Sequence, residues 1–311
     1  MKTKKKVVIV GKGKVGTHLA GRLEAWGFGV SFFTRQSGDL KKFEELLKRE
    51  KPKAVFVTID TKKEDKGQAA FGYLESCIIH DVPVITCEKG SPAYHAEIFK
   101  KNPGLIAYSA AVGGGTQILN YCQGRFWYDQ KVEIHAVLNG SLNFFFEAIA
   151  QGKNCEQAYE DVLLLDSAES GSTDPLSFVN NERRDLYMKT AAFYNMLIAK
   201  DSFITPEQLR YFDLDQAGLK RITEGSDRYR FVVSFLSHRG PNKDQWEVKV
   251  APRKINDDPF YSWIPGGIEN GVRIIEGENG IGGKYTLVGD GACLVPTTSV
   301  MLADFKRLCY L

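Results

Sequence analysis

The residues Gly11-Lys12-Gly13-Lys14-Val15-Gly16 follow directly on the apolar run Val7-Val8-Ile9-Val10 and open a stretch of helical periodicity, Val15 to Trp26. No other segment constrains the fold as tightly, because each glycine meets a separate steric demand. The first allows a tight turn, the second lets backbone N–H groups approach a pyrophosphate, and the third lets the helix pack closely on the strand. The pattern predicts a dinucleotide site at the head of a βαβ unit, formed by Gly11, Gly13, Lys14, Val15 and Gly16. A Walker A loop is excluded, since neither Gly11 to Thr17 nor Gly280 to Thr286 supplies G-K-[ST] at the required spacing.

The alternation continues for a third of the chain. Short β-rich runs at Gly29 to Phe33, Ala54 to Ile59, Pro83 to Cys87 and Leu105 to Ala110 alternate with helical patterns at Leu40 to Glu50, Gln68 to His80 and Tyr94 to Lys100. Five largely apolar strands joined by helices predict a parallel sheet covered on both faces, a doubly wound domain. After Gly113-Gly114-Gly115 the texture changes. Strands are expected at Val132 to Leu138, Arg230 to Leu236 and Trp246 to Val250, the last two parted by the turn-rich His238 to Lys243. Helices are expected at Asn143 to Ala150, Glu156 to Leu165 and Glu182 to Lys200. A length of 311 residues agrees with about two domains.

Lys plus Arg total 41 against 38 Asp plus Glu, a net charge of +3, too near balance to argue for nucleic acid or an anionic membrane as partner. The apolar run after Met1-Lys2-Thr3-Lys4-Lys5-Lys6 ends after four residues, short of a secretory h-region, and no stretch approaches the roughly 18 apolar residues of a membrane span. Six cysteines without a C-x-x-C pair suit reduced thiols, so a cytoplasmic location is expected. His18, His80, His95, His135 and His238 are dispersed without ligand spacing, and no metal site is expected.

An NAD site usually ends its second strand in Asp or Glu, which accepts from the ribose 2′-OH. Here Phe33-Thr34-Arg35-Gln36-Ser37 offers a guanidinium and hydroxyls instead, groups that suit a 2′-phosphate. NADP is therefore the expected cofactor, through Arg35 and Ser37, with NAD still admissible; the competing reading of Arg35 is a solvated loop residue. The run Val84-Ile85-Thr86-Cys87 leads straight into Glu88-Lys89-Gly90, which puts Lys89 just past a strand's carboxyl end, the edge that faces ligands in doubly wound folds.

Further along come Val112-Gly113-Gly114-Gly115, Leu138-Asn139-Gly140-Ser141-Leu142-Asn143, Asp174-Pro175, Asp185 with Lys189, and Gly289-Asp290-Gly291-Ala292. In this order the segments resemble the homoserine dehydrogenase family over nearly the whole chain. The resemblance implies NAD(P)-dependent interconversion of L-homoserine and L-aspartate 4-semialdehyde. It implies a Rossmann dinucleotide-binding domain at 1–124, completed by 291–311, and an α/β substrate and dimerisation domain at 125–290, in a homodimer. It further implies that Lys89, Lys189 and Asp185 are catalytic, that Asn139, Gly140, Ser141 and Asp174 contact substrate, and that Gly291 belongs to the cofactor site. Longer members append a ligand-sensing domain; this chain stops soon after Asp304, so no such module and no threonine response through one is expected.

Several positions depart from the family pattern. Glu88 replaces the usual Asn, Leu142 a Thr, and Ser109 a glutamate found beside a monovalent ion in many members. Ser172 stands two residues before the Asp-Pro pair, where family members carry Glu; counting back from Lys189 instead puts Asp174 at that position and Asn180 at that of an aspartate. Either alignment loses a carboxylate that holds the substrate's ammonium in the family. Two alternatives therefore stay open: a non-catalytic dinucleotide-binding homologue, and a dehydrogenase of a related small hydroxy acid.

The residues make chemical sense by themselves. Hydride delivery to an aldehyde leaves negative charge on oxygen, so the site needs a cation or proton donor. Asp185 and Lys189 stand at i and i+4 on one expected helix, where the carboxylate orients the ammonium. Taken alone, such a pair is more often a surface ion pair.

Overall fold

The computed structural model describes residues 4–61, 65–123, 131–165, 171–225, 227–237, 246–256, 258–277, 280–291 and 293–310. His238, the turn-rich stretch to Lys243, and Ala292 lie outside them. The chain divides into two compact units, Met1–Gln117 with Ala191–Ile204 and Leu294–Leu311, and Ile118–Thr190 with Thr205–Cys293.

In the first unit, β1 (Lys6–Val10), α1 (Lys14–Ala25), β2 (Gly29–Phe33), α2 (Leu40–Glu50), β3 (Val55–Val57), α3 (Gln68–Ile79), β4 (Val84–Thr86), α4 (Gly90–Tyr94), α5 (Ala96–Lys101) and β5 (Ile106–Ala107) follow in turn. The strands form a wholly parallel sheet in the order β2-β1-β3-β4-β5. Alternate side chains of β1 serve opposite faces, as period-two geometry demands. Val8 and Val10 enter one core with Phe43, Leu47, Leu74 and Phe99, while Val7 and Ile9 enter the other with Leu19, Leu23, Met301 and Phe305. The last two belong to the C-terminal helix, Leu294–Tyr310, which is anchored by buried Asp304: its carboxylate accepts from Ser109 N (2.9 Å) and Oγ (2.7 Å). The sheet order reverses direction at β1, so the Gly11 turn sits at the switch point where such sheets bind ligands.

The second unit contains α6 (Ile118–Gln123), β6 (Val132–Val137), α7 (Gly140–Ala150), α8 (Cys155–Leu164), most of α9 (Pro175–Phe193), α10 (Gln216–Thr223), β7 (Tyr229–Ser237), β8 (Trp246–Lys254), β9 (Glu269–Glu276) and β10 (Gly283–Asp290); the C-terminal helix is then α11. Its sheet is antiparallel, ordered β10-β9-β6-β7-β8. Phe146 of α7 packs on Phe231 of β7 with ring centroids 5.5 Å apart, and Phe145 packs on Phe178 of α9 at 5.3 Å, so the Phe144-Phe145-Phe146 run supplies core.

Several boundaries differ from expectation. The segment 191–204 joins the first unit because buried Asn195 donates to Ala93 O (3.0 Å), and Lys100 donates to Met196 O and Ala199 O. The first unit closes at Gln117 rather than 124, and 291–293 go with the second. Helix α9 starts at Pro175, not Glu182: the Asp174 carboxylate caps it by accepting from Ser177 N (2.9 Å), and proline is well placed at a first helical position. Helix α7 starts at Gly140 because Asn139 caps it through Leu142 N (2.7 Å). Strands β9 and β10 and helix α10 were not expected. Among the described residues, no helix is long and apolar enough to cross a membrane.

Candidate active site

Parallel strands bring the loops after β1, β2, β3 and β4 to one edge of the first sheet. After β1, Gly11 adopts φ +100° and donates its N–H to Phe33 O of β2 at 2.9 Å. A Cβ on Gly16 would lie 2.3 Å from Gly11 O and 2.8 Å from Thr58 Oγ1, so only glycine lets α1 approach the turn this closely. Thr58 braces the turn from β3, donating within 3.1–3.2 Å of Val10 O and Gly11 O. Gly13, in contrast, has no atom within 4 Å of its Cβ direction. An open glycine at the head of a twelve-residue helix, with Lys14 and Val15 in its first turn, fits a dinucleotide pyrophosphate approaching the backbone.

Arg35 and Ser37 lie exposed just past β2, in a turn closed by Ser37 N on Thr34 O (2.8 Å) and by Thr34 N on Ser37 Oγ (3.0 Å). Arg35 also faces Tyr73: burial pushes that phenol up, and the guanidinium partly opposes the shift. Past β4, Lys89 occupies the half-buried position before α4. Glu88 beside it is 3% exposed, and its carboxylate takes several donors of the surrounding loops. Cys87 is driven up to about 12, chiefly by burial and then by the Glu88 charge, which leaves its thiol protonated and inert at neutral pH.

In the second unit a polar cluster is buried where α7 begins. Asn139 Nδ2 donates to Glu182 Oε2 (2.8 Å) and Asp185 Oδ2 (2.9 Å), and the same Asp185 oxygen is 2.7 Å from Lys189 Nζ. Asp185 and Glu182 are each 2% exposed. The i, i+4 pair is therefore not a surface pair. Gly140 is required here: a Cβ would fall 2.1 Å from Ile268 O, so the head of α7 presses against the 265–268 loop, which Asn143 also holds by donating to Pro265 O and Gly267 O. Ser141 is buried in the same helical turn.

Two expected residues have local structural roles of their own. Asp174 is exposed at the N-terminus of α9, its carboxyl held below the usual range mainly by the Ser177 amide. Eleven residues of helix, about 16 Å, separate it from Asp185. Gly291 follows β10 in the second unit, where a Cβ would strike the Asn270 side chain at 2.3 Å, a packing reason for glycine in itself. Asn180 is engaged with the backbone of Leu214, accepting from N (2.8 Å) and donating to O (2.9 Å). Glu182 is the group sequence reasoning missed. Its signal was available, since 182, 185 and 189 stand at i, i+3 and i+7 on one helix face.

An open glycine cradle at the switch point of a doubly wound sheet, with a buried lysine–carboxylate pair in a second unit, defines the class of dinucleotide-dependent oxidoreductases. The family model for homoserine dehydrogenase matches residues 118–305, more than half of the chain, and the chain belongs to that family. It is 22% identical to the homoserine dehydrogenase of Methanocaldococcus jannaschii over 263 residues, covering 82% of this chain and 72% of that one. It is 23% identical to the NAD(+)-dependent homoserine dehydrogenase of Pseudomonas canavaninivorans over 248 residues, covering 78% and 67%. Among solved structures, a hyperthermophilic archaeal homoserine dehydrogenase in complex with NADPH superposes with a TM-score of 0.67 at 19% identity, covering 98% of each chain.

Proposed function

We propose that this protein is an NAD(P)-dependent homoserine dehydrogenase interconverting L-homoserine and L-aspartate 4-semialdehyde, with NADP preferred and NAD accepted. The observation that carries the reading is Lys189 Nζ held 2.7 Å from a carboxylate that is itself 2% exposed. A bound nicotinamide supplies or accepts the hydride. The protein's own task is to manage the charge and proton on the substrate oxygen. Lys189 faces the reacting oxygen, stabilising it as an alkoxide or relaying its proton. Asp185 keeps the ammonium aimed, and Asn139 fixes Asp185 by donating to the same oxygen. Lys89, at the carboxyl edge of the first sheet, serves the cofactor side. The first turn of α7, with Gly140 and Ser141, offers backbone and hydroxyl groups to the substrate. A homodimer and a cytoplasmic location belong to the same reading.

Oxidation of L-homoserine by the purified protein, followed as reduction of NADP and of NAD, tests it. The reading expects turnover with both and the greater kcat/KM with NADP. No turnover with either sinks it in favour of a non-catalytic homologue. One observation favours a second substrate class: Asp174 caps a helix and Asn180 binds Leu214, so neither is aimed at a substrate ammonium. Assaying 4-hydroxybutyrate, homoserine without its amino group, beside homoserine separates the two; preference for the former identifies a hydroxy-acid dehydrogenase.

A further inference from the structure

Glu88 stands where the family pattern has asparagine, and the structure shows what the longer acid does. Its Oε1 accepts from Gly90 N (2.6 Å) and from Thr61 Oγ1; its Oε2 accepts from Ser91 N (2.8 Å) and Ser91 Oγ (2.7 Å). Thr61 belongs to the loop after β3, while Gly90 and Ser91 begin α4. At the same place the two loops meet backbone to backbone. A Cβ on Gly67 would lie 2.5 Å from Gly90 C, and one on Gly90 would lie 2.9 Å from Gly67 Cα. Glu88 thus fastens a junction that the glycines bring together and that Ser91 Oγ also spans, 3.3 Å from Gly67 O, and Lys89 is the residue between its backbone and the amides it grips.

We infer that Glu88 is a positioning residue for Lys89, its carboxylate clamping the β3 and β4 loops so that the lysine is presented at the cofactor edge in one fixed orientation. The role requires a carboxylate. Each of its oxygens accepts from a backbone N–H, and a backbone N–H cannot turn away as a hydroxyl can. A glutamine in either flip would aim its NH2 at one of those two amides and leave it opposed. Asparagine adds the same conflict and is one methylene shorter. The inference rests on the dehydrogenase reading for its activity arm, and on the clamp geometry alone for its exchange arm.

The test is Glu88→Gln in the full-length protein, measured in wild-type and Lys89→Ala backgrounds. Amide hydrogen exchange at Gly90 and Ser91 should accelerate at least tenfold. In the wild-type background kcat for homoserine oxidation should fall at least tenfold; in the Lys89→Ala background the same substitution should change the residual rate less than twofold, because the residue it positions is gone. A merely structural role would lower both backgrounds by the same factor, and that result overturns the inference, as does unchanged exchange at the two amides. Should Glu88→Gln fail to fold, Ser91→Ala removes one donor and keeps both backbone bonds. Its expected two- to threefold loss in kcat should likewise vanish without Lys89, and an equal loss in both backgrounds counts against the clamp. A wild type that does not oxidise homoserine would defeat the functional reading, leaving the exchange measurement to decide the clamp.

Discussion

Replacing Lys189 by methionine keeps an unbranched side chain one atom shorter and removes the ammonium, both its charge and its hydrogen-bond donors. Asp185, 2% exposed, would retain the Asn139 amide at 2.9 Å but lose the ammonium at 2.7 Å. Removing one partner of a buried pair leaves an uncompensated charge and typically costs about 3–5 kcal/mol. Lys189 is itself 19% exposed, so water screens part of that charge and the lower end, about 3 kcal/mol, applies. Adding Asp185→Asn removes the stranded charge while keeping an acceptor, and should restore about 1–2 kcal/mol, a coupling of the size expected between contacting residues. On turnover, losing a positioned acid or oxyanion donor lowers kcat by roughly 10²-fold or more, and the double variant should recover stability without recovering rate. The nucleotide cradle lies in the other unit, so NADPH affinity should hold within about twofold, the scatter of a surface change. Urea denaturation, stopped-assay kcat and a fluorescence titration of NADPH read the three quantities. A Lys189→Met protein within about 1 kcal/mol of wild type, with normal turnover, would reduce the pair to an ordinary ion pair and refute the assignment.

Arg35→Ala should weaken NADPH binding by about 1.5 kcal/mol, roughly tenfold, and leave NADH unchanged, as titration of both cofactors will show; equal affinities in the wild type would remove the 2′-phosphate contact. Gly140→Ala forces a Cβ to within 2.1 Å of Ile268 O, so the head of α7 must shift; overpacking of this kind costs about 1–3 kcal/mol in urea denaturation, and KM for homoserine should rise with it. Asp174→Ala should cost about 1 kcal/mol as a lost helix cap and leave KM for homoserine unchanged, whereas a substrate contact would raise KM. The capping contribution has a definite pH sign: the folded carboxyl is depressed, so its stabilisation is present above the ordinary value of 3.8, fades as pH falls through the folded value, and is absent from Asp174→Ala over the same acid range.

What sequence made legible was what local chemistry decides. Strands β1, β3 and β4 are buried on both faces and so read as apolar runs, and the glycines at 11, 13 and 16 announce themselves by spacing. Strand β9 hides because Asn270, Gly271 and Val272 are buried in succession, which erases the alternation an antiparallel strand usually displays. The spacing of Glu182, Asp185 and Lys189 on one face of α9 is local and legible, but which face α9 turns inward is not, and the need for glycine at 140 depends on a carbonyl more than a hundred residues away. Asn180 shows how the fold can also reinterpret a departure. Its side chain must both accept from Leu214 N and donate to Leu214 O, and an aspartate, which only accepts when ionised, cannot do both. The amide at 180 therefore answers to the 211–214 segment. The absence of a carboxylate there has this packing reason, while the buried acids of the cluster are Glu182 and Asp185, the two that Asn139 ties together.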